Sequence, residues 1–488
     1  MRTLDYFVVA TYLVAVFAVG IASRGRQDNV DDYFSAHGTF KGRLGAIVIG
    51  LSIAASFFSG ISFIAYSSFA FSQGVQLIVG VVALPVAWIL LRYWFLDRYW
   101  SAQNRHPYDI VEKRFGYRAR AALSTMFVLM RIGWMAVIIY APTLIIMGSL
   151  GLGQAWFWPI VLTLGGTCTV ISVIGGIRAV IVTDAIQFVV ICLGLVTVVG
   201  SVLVRMHWAV GGIWSDLKSS GHLHAFDFSL SFVAPWTIWA IVIGSIVQNT
   251  GSYVSDQMAL QRYLASESRS AVFRSFSFNI VGALAVVALL TLVGLLLSVW
   301  YLHHPDPTLP ANSDLVLPYF SARELPAGIS GLLIAAILAA TMNTLTSGIN
   351  SLAGAIINDF LSHLGRPRTP TELFRLARAT SVGLGLIATL AAGFASRLGT
   401  VLDSSNIMMG AFAGPMFACM LWAVSRAPVR APAVLGGMAL GAVAGCAVAM
   451  TPASSFWVAP AGFALAIVIP WLDSVLNRSV TASPAPVA

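Results

Sequence analysis

The chain has 488 residues, 58% of them hydrophobic and 10% charged, with a mean hydropathy of +0.85. This composition belongs to a polytopic helical membrane protein and excludes a soluble one. The formal charge of +9 is spread over alternate loops, which membrane insertion explains without a nucleic-acid partner.

Apolar runs of roughly 20 residues, long enough to cross a lipid bilayer as a helix, predict about thirteen spans. In chain order they lie near 4–23, 44–72, 74–96, 119–148, 154–176, 179–204, 232–264, 271–301, 326–356, 379–396, 403–425, 431–450 and 454–475. The first begins with Arg2 against Asp5, too weak an n-region for a signal peptide, and reads as an uncleaved helix. The loop after it carries Arg24, Arg26, Lys41 and Arg43, and every second loop from there on is basic. Those loops hold the stretch from Arg92 to Arg120, then Arg178, Arg262, Arg269, Arg274, Arg366, Arg368, Arg375, Arg378, Arg426, Arg430 and Arg478. The intervening loops hold Arg2, Arg205, Lys218, Arg323 and Arg397. The positive-inside rule therefore predicts an integral protein of a bacterial inner (plasma) membrane, with the N-terminus outside and the C-terminus cytoplasmic.

The second span contains AASFFSGIS, with Ser56, Ser59, Gly60 and Ser62 near its middle. The seventh contains QNTGSYVSDQ, with Gly251 among Asn249, Thr250 and Ser252. Polar, glycine-bearing breaks free backbone groups that are tolerated at membrane depth only where they line a cavity. Residues 44–204 and 232–425 then form two five-helix repeats, each opening on a broken helix, and because five is odd the repeats are inverted. The alternative is two glycine-bearing helices that happen to be spaced this way. Residues 1–43 are a first helix and cytoplasmic loop, 205–231 an extracytoplasmic loop, 426–475 two peripheral helices and 476–488 a disordered tail.

Arg131 sits about twelve residues into the fourth span, roughly 15 Å from its nearer end. A guanidinium there suits bidentate capture of a carboxylate, or it pairs with a buried acid. Two acids are available, Asp184 well within the sixth span and Asp256 after the second break. Burying either costs roughly 2.5–3.5 kcal/mol or more, so each needs a cation, a proton or a basic partner. In the ninth span, GLLIAAILAATMNTLTSGINS (Gly331–Ser351), helical spacing puts Ala340, Asn343, Thr344 and Ser347 on one face, with Thr346 and Asn350 beside it. That face offers oxygens without charge, either ligands for a small hard cation such as Na⁺ or helix–helix glue.

Cys168, Cys192, Cys419 and Cys446 lie in spans without a CxxC pair, and the eight histidines lie in loops or at helix ends. Neither a disulfide framework nor a zinc or haem centre is expected. No nucleophile and base stand together as an enzyme would need.

At these residues the chain resembles a known family. VISVIGGIRAVIVTDAIQ (Val170–Gln187), DQMALQRYLA (Asp256–Ala265), AAILAATMNTLTSGINS (Ala335–Ser351) and the loop NRHPYDIVEKRFG (Asn104–Gly116) are similar to signature segments of the sodium/solute symporter family, which includes sodium/glucose, proline and sialic acid cotransporters. The resemblance runs from about residue 5 to 475 and implies an all-α, LeuT-type fold with Na⁺ as the coupling ion. Carried over by position, it implies a sodium site made by the backbone carbonyls of Ala55, Phe58 and Ala340 and side-chain oxygens of Asn343 and Thr344, where many members have two serines. Relatives of the sialic acid type add a second sodium, at positions matching Asp184, Asn343, Thr346 and Ser347. The implied solute position is Ser62, Arg131, Asn249 and Asp256. The third span, GVQLIVGVVALPVAWILL, lacks the polar groups of sugar-transporting relatives, and Arg131 resembles the carboxylate-binding arginine of the sialic acid type. A small organic anion is therefore the expected solute, imported by alternating access. Asp256 leaves alternatives open: an amino acid or sugar as solute, or proton coupling through Asp256 or Asp184.

One Na⁺ entering down a tenfold gradient supplies about 1.4 kcal/mol, and 100 mV adds about 2.3 kcal/mol. A monovalent anion moving with one Na⁺ carries no net charge and forfeits the voltage contribution. The sodium count, and with it the concentrating power, therefore turns on Asp184.

Overall fold

Long apolar runs with few internal helix breakers become helices throughout the computed structural model, which describes residues 2–23, 39–364, 369–397 and 401–481. No strand occurs among them; Phe40 and Ser266 make one isolated bridge. Helix α1 (Thr3–Ala22) precedes a bent pair, α2 (Gly42–Phe57) and α3 (Gly60–Gln73). Then come α4 (Gln76–Ser101), the short α5 (Asp109–Phe115) and the long α6 (Tyr117–Leu150). Helices α7 (Gln154–Val173) and α8 (Gly176–Arg205) are joined at Gly176, whose φ of 63° only glycine adopts without strain. The surface helix α9 (Val210–Ser219) leads to α10 (Ile238–Ser255), α11 (Gln257–Leu264) and α12 (Arg269–His303). The remainder is α13 (Val316–Arg323), α14 (Ile329–Ala355), α15 (Pro370–Ala391), α16 (Val401–Val424), α17 (Ala431–Ala449) and α18 (Val458–Thr481).

Among the described residues eleven helices are long and apolar enough to cross a membrane, and the pair α2–α3, bent by 64°, makes a twelfth. The remaining predicted crossing is α10–α11, where Gln248, Asn249, Thr250, Ser252 and Ser255 dilute the apolar run. Gly42–Arg205 and Ile238–Val424 thus each comprise five crossings and open on a broken helix. Leu4, Phe7, Val14 and Ile21 on α1 face outward from the bundle, as lipid-contacting side chains do.

Two expectations need correction. The second break is not at Gly251. The helix α10 runs through it to Ser255, because Gly251 serves packing: a Cβ there would lie 3.0 Å from Phe417 Cβ and 3.4 Å from the Ala413 carbonyl of α16. The break falls at Asp256, extended at φ −79° and ψ 128°, whose carboxylate caps α11 by accepting from the Met258 N–H at 2.8 Å. At the C-terminus, residues 476–481 continue α18 as helix, and 482–488 of the expected tail lie outside the described residues. Arg24, Arg26, Arg366 and Arg368 also lie outside them.

Crossings alternate in direction, so the bundle has a near end, where α1 begins, and a far end, where α1 finishes. At the near end Asp5, 1% exposed, accepts from the N–H groups of Gly328 (2.7 Å) and Gly331 (2.9 Å), so α1 supplies the N-terminal cap of α14. At the far end the short loop helix α5 is tied to the bundle through Tyr108, whose hydroxyl donates to the Ser255 carbonyl at 2.7 Å.

Candidate functional site

Every residue of α14 from Leu333 to Ala355 is buried, including Asn343, Thr344, Thr346, Ser347, Asn350 and Ser351. A wholly enclosed helix with that many polar groups must satisfy them with protein, water or ions. Thr344 Oγ1 lies 3.0 Å from the Ala340 carbonyl oxygen and 2.8 Å from Asn343 Oδ1. Three of the five expected sodium-binding oxygens therefore converge on one spot. The other two belong to Ala55, fully buried, and Phe58, 7% exposed, at the end of α2 where helical bonding stops. That break packs on the same helix. A Cβ on Gly60 would lie 2.5 Å from Thr341 Oγ1 and 2.6 Å from Pro142 Cγ, so only glycine lets the break approach α14 and α6 so closely.

Asp184 and Ser347, two of the four positions expected for a second sodium, are also brought together. Asp184 Oδ2 accepts from Ser347 Oγ (3.1 Å), Ser52 Oγ (3.0 Å) and Ser56 Oγ (3.3 Å). The fourth donor is Arg262 Nη2 at 2.7 Å. Arg262 is fully buried, and it also donates to Ser52 Oγ (2.8 Å), the Met258 carbonyl (2.7 Å) and Ser347 Oγ (2.7 Å). The sequence places Arg262 among the basic residues of an inner loop, which its buried pairing with Asp184 corrects, and offers Arg131 as the partner of either Asp184 or Asp256. The Thr346 hydroxyl donates to the carbonyls of Met342 and Asn343 on its own helix.

Arg131 pairs with Asp256 instead, both buried, with the guanidinium 4.7 Å from the Trp134 ring centroid. Its Nε and Nη1 have no hydrogen-bond partner. The pair is the first of a series along α11. Gln257 donates to Asp359 Oδ2 at 2.7 Å, Gln261 accepts from Ser351 Oγ at 3.0 Å, and Arg262 makes the contacts above. All four polar side chains between Asp256 and Arg262 thus bond across to α6, α8, α14 or the turn that follows α14. Asp359, fully buried in that turn, is also gripped by Arg120 Nε (2.8 Å) and Nη2 (2.6 Å). Arg120 Nη1 reaches Asp109 (2.8 Å) and Glu112 (2.6 Å) of α5. Partial burial works against the Glu112 charge, but hydrogen bonds from Arg120 and His363 hold its carboxyl below the usual range.

Above this sealed far half, a cavity of about 140 Å³ lies in the near half of the bundle. It is lined by the α2–α3 break (Phe58, Ser59, Ser62), by Trp134, by Gln248, Asn249 and Ser252 of α10, and by Ser405, Asn406 and Met409 of α16. Among the described residues no charged one lines it. Ser62 and Asn249 stand on its wall as expected of solute ligands, whereas Arg131 and Asp256 do not; the Trp134 ring against which Arg131 stacks is part of the wall. The first turn of α3 also opens on it. Ser59 caps that turn, accepting from the Ile61 N–H at 3.2 Å, so the positive end of a 14-residue helix is directed at the space. Among the described residues no three His, Cys, Asp or Glu side chains group as a metal centre.

A model of the sodium:solute symporter family matches residues 33–441. The sodium/sialic acid symporter NanT of Aliivibrio fischeri is 26% identical, over 98% of this chain and 94% of its own length. The sodium/sialic acid symporter SiaT of Proteus mirabilis is 27% identical over 85% and 83%. The human sodium/iodide cotransporter is 26% identical over 90% and 68%. Among solved structures, a substrate-bound, outward-open Na⁺-coupled sialic acid symporter superimposes with a TM-score of 0.88 at 24% identity, covering 97% of this chain and 98% of its own.

Proposed function

The chain belongs to the sodium:solute symporter family, and from that premise we propose that it couples Na⁺ entry to import of a small carboxylate-bearing solute by alternating access. The observation that carries this reading is the convergence of the Ala340, Asn343 and Thr344 oxygens on α14, packed against the broken crossing whose end carries Ala55 and Phe58. Oxygens without net charge suit Na⁺, which binds weakly enough to leave again. One ion bridging α14 and the α2–α3 break fixes the break relative to the rest of the bundle and shapes the cavity wall at Ser59 and Ser62. That shared wall links sodium and solute: each favours the same arrangement of the helices, so each tightens the other.

The solute occupies the near-half cavity. Its carboxylate faces the first turn of α3, with Ser62 and Asn249 as hydrogen-bond partners. Arg131 and Asp256 act from behind the wall, their charges cancelling, and keep α6 and α11 together. The near end is extracytoplasmic and the far end cytoplasmic, which puts the cavity on the side from which Na⁺ arrives and the bonded α11 on the side through which both leave.

The test is uptake by purified protein in liposomes under an inward Na⁺ gradient, with labelled sialic acid, short monocarboxylates, proline and hexoses as candidates. Sodium-dependent uptake of a carboxylate, with KM raised about tenfold or more in Asn249→Ala from loss of a hydrogen bond to a charged group, is the expected outcome. Uptake driven by a pH gradient in the absence of Na⁺ would overturn the coupling ion.

A further inference from the structure

We propose that a groove behind α14, between α1, α6 and α7, holds one acyl chain of a near-leaflet phospholipid, and that this chain braces α14 behind its sodium-binding face. The occupancy stands by itself; the effect on sodium rests on the coupling proposed above. The groove has a volume of about 300 Å³, against about 140 Å³ for the polar cavity. On α7 it is lined by Trp156, Ile160, Thr163 and Thr167, which fall within about 60° on one face of the helix. Leucine, isoleucine, methionine and proline side chains make up most of the rest, and the Thr163 hydroxyl already donates to the Pro159 carbonyl on its own helix at 2.7 Å. A space lined in this way stays free of water, and in a bilayer hydrocarbon fills it.

Depth and size identify the occupant. The groove is continuous with the lipid-facing surface, since Val14, next to the lining residue Leu13 on α1, is 69% exposed, and Leu162, next to Thr163 on α7, is 49% exposed. It starts at Trp156, half-exposed as aromatic anchors at headgroup level are. Thr167 lies eleven residues further on, roughly 16 Å deeper at 1.5 Å per residue. That is the depth of one leaflet, about half of a hydrocarbon core roughly 30 Å thick. An apolar cavity of about 150 Å³ takes one benzene, so the groove has room for roughly a dozen carbon atoms.

Leu338 and Met342 form its wall on α14. At 100° per residue they lie about 180° around the helix from Ala340, Asn343 and Thr344, so an occupant presses on the back of the oxygen cluster. Met342 precedes Asn343 in the chain, and its carbonyl accepts from the Thr346 hydroxyl at 2.9 Å. Methionine is a flexible filler of gaps. With the groove empty its side chain can drop into the space and let α14 shift; with a chain in place both are held. Lipid and sodium then favour the same position of α14, and each tightens the other.

Two measurements test this. Protein in liposomes that contain a phosphatidylcholine with a diazirine midway along one acyl chain is illuminated and digested, and the labelled residues are read by mass spectrometry. Labelling at Leu13, Ile160 and Thr163 is expected several-fold above that at Leu193 and Val196 of α8, which are 56% and 54% exposed. Thr163→Trp, which fills the groove, should bring it down to the level of α8. Equal labelling of the two regions in the wild type overturns the inference without need of a variant, as does undiminished labelling in a folded Thr163→Trp. In the second measurement, radioactive Na⁺ binds to protein stripped of lipid in detergent. Adding phosphatidylcholine back should tighten binding about fivefold or more in the wild type and leave Thr163→Trp unchanged. Wild-type binding indifferent to phospholipid overturns the brace. Absence of saturable Na⁺ binding in both conditions overturns the sodium coupling instead, and the labelling still decides whether the groove holds a chain.

Discussion

At the scale of single residues, the Thr344 hydroxyl has two neighbours, the Ala340 carbonyl and Asn343 Oδ1, and serves as the hinge of the oxygen cluster. Thr344→Ala removes one ligand and frees Asn343 to rotate. The half-saturating Na⁺ concentration for uptake is expected to rise about tenfold or more, with the maximal rate at saturating Na⁺ less affected; an unchanged sodium curve in well-expressed protein would count against the site. Arg131 and Asp256 predict a different pattern. Arg131→Ala leaves a buried carboxylate unpaired, at a cost of about 3–5 kcal/mol, whereas the double change Arg131→Leu with Asp256→Asn removes both charges. Thermal unfolding in detergent should show the single variant far below wild type and the double variant largely recovered. Asp184, Arg131 and the polar face of the ninth span were all legible in the sequence, because a charge or an oxygen cluster in an apolar run must meet a partner inside the bundle. Arg262 was not. It lies two residues from the end of its span, where an arginine ordinarily reaches out to the interface, and nothing local reveals that its side chain instead turns inward to Asp184.

Among the elements, the two broken crossings differ in how they are built. The first is made by Ser59 and Gly60, and its glycine is compulsory because Thr341 and Pro142 leave no room for a Cβ. Gly60→Val should abolish Na⁺-dependent uptake even where the protein still inserts, which surface expression and flux measured on the same vesicles will separate. The second is made by an aspartate serving at once as helix cap and ion-pair member. Glycine is the stronger signal in a sequence, and it drew the expected break to Gly251, five residues early. Gly251 proved to be a packing glycine against α16. The first break was readable because serine, glycine and serine coincide there; the second was displaced because a capping aspartate and a helical glycine stand close together and only the three-dimensional neighbours distinguish them.

For the molecule as a whole, a cavity in the near half and a bonded far half fit one of the two states of an alternating-access machine. The bonds of α11 to Asp359, Ser351, Ser347 and Asp184 are what must part before the far end can open. Replacing Gln257 and Gln261 by Leu removes two of them and should shift the population toward the far-open form. Cysteine labelling from the far side at Ser255→Cys, buried in the present state, should then proceed several-fold faster than in the parent and be slowed by adding Na⁺. An all-helical, many-span architecture with paired breaks followed from hydropathy alone. The far-end bonding did not, because α11 is bonded to Ser52, Asp184, Ser347, Ser351 and Asp359, all remote in the chain, and no periodicity records which distant groups a helix meets.

The Asp5 cap makes the first helix a working part of the transporter. The carboxylate that caps α14 comes from Asp5 on α1, and Gly331 is pressed so closely against it that a Cβ would lie 2.6 Å from the Asp5 backbone. A change at Asp5, 323 residues from Gly328 in the chain, is therefore felt at the start of the helix that carries Asn343 and Thr344.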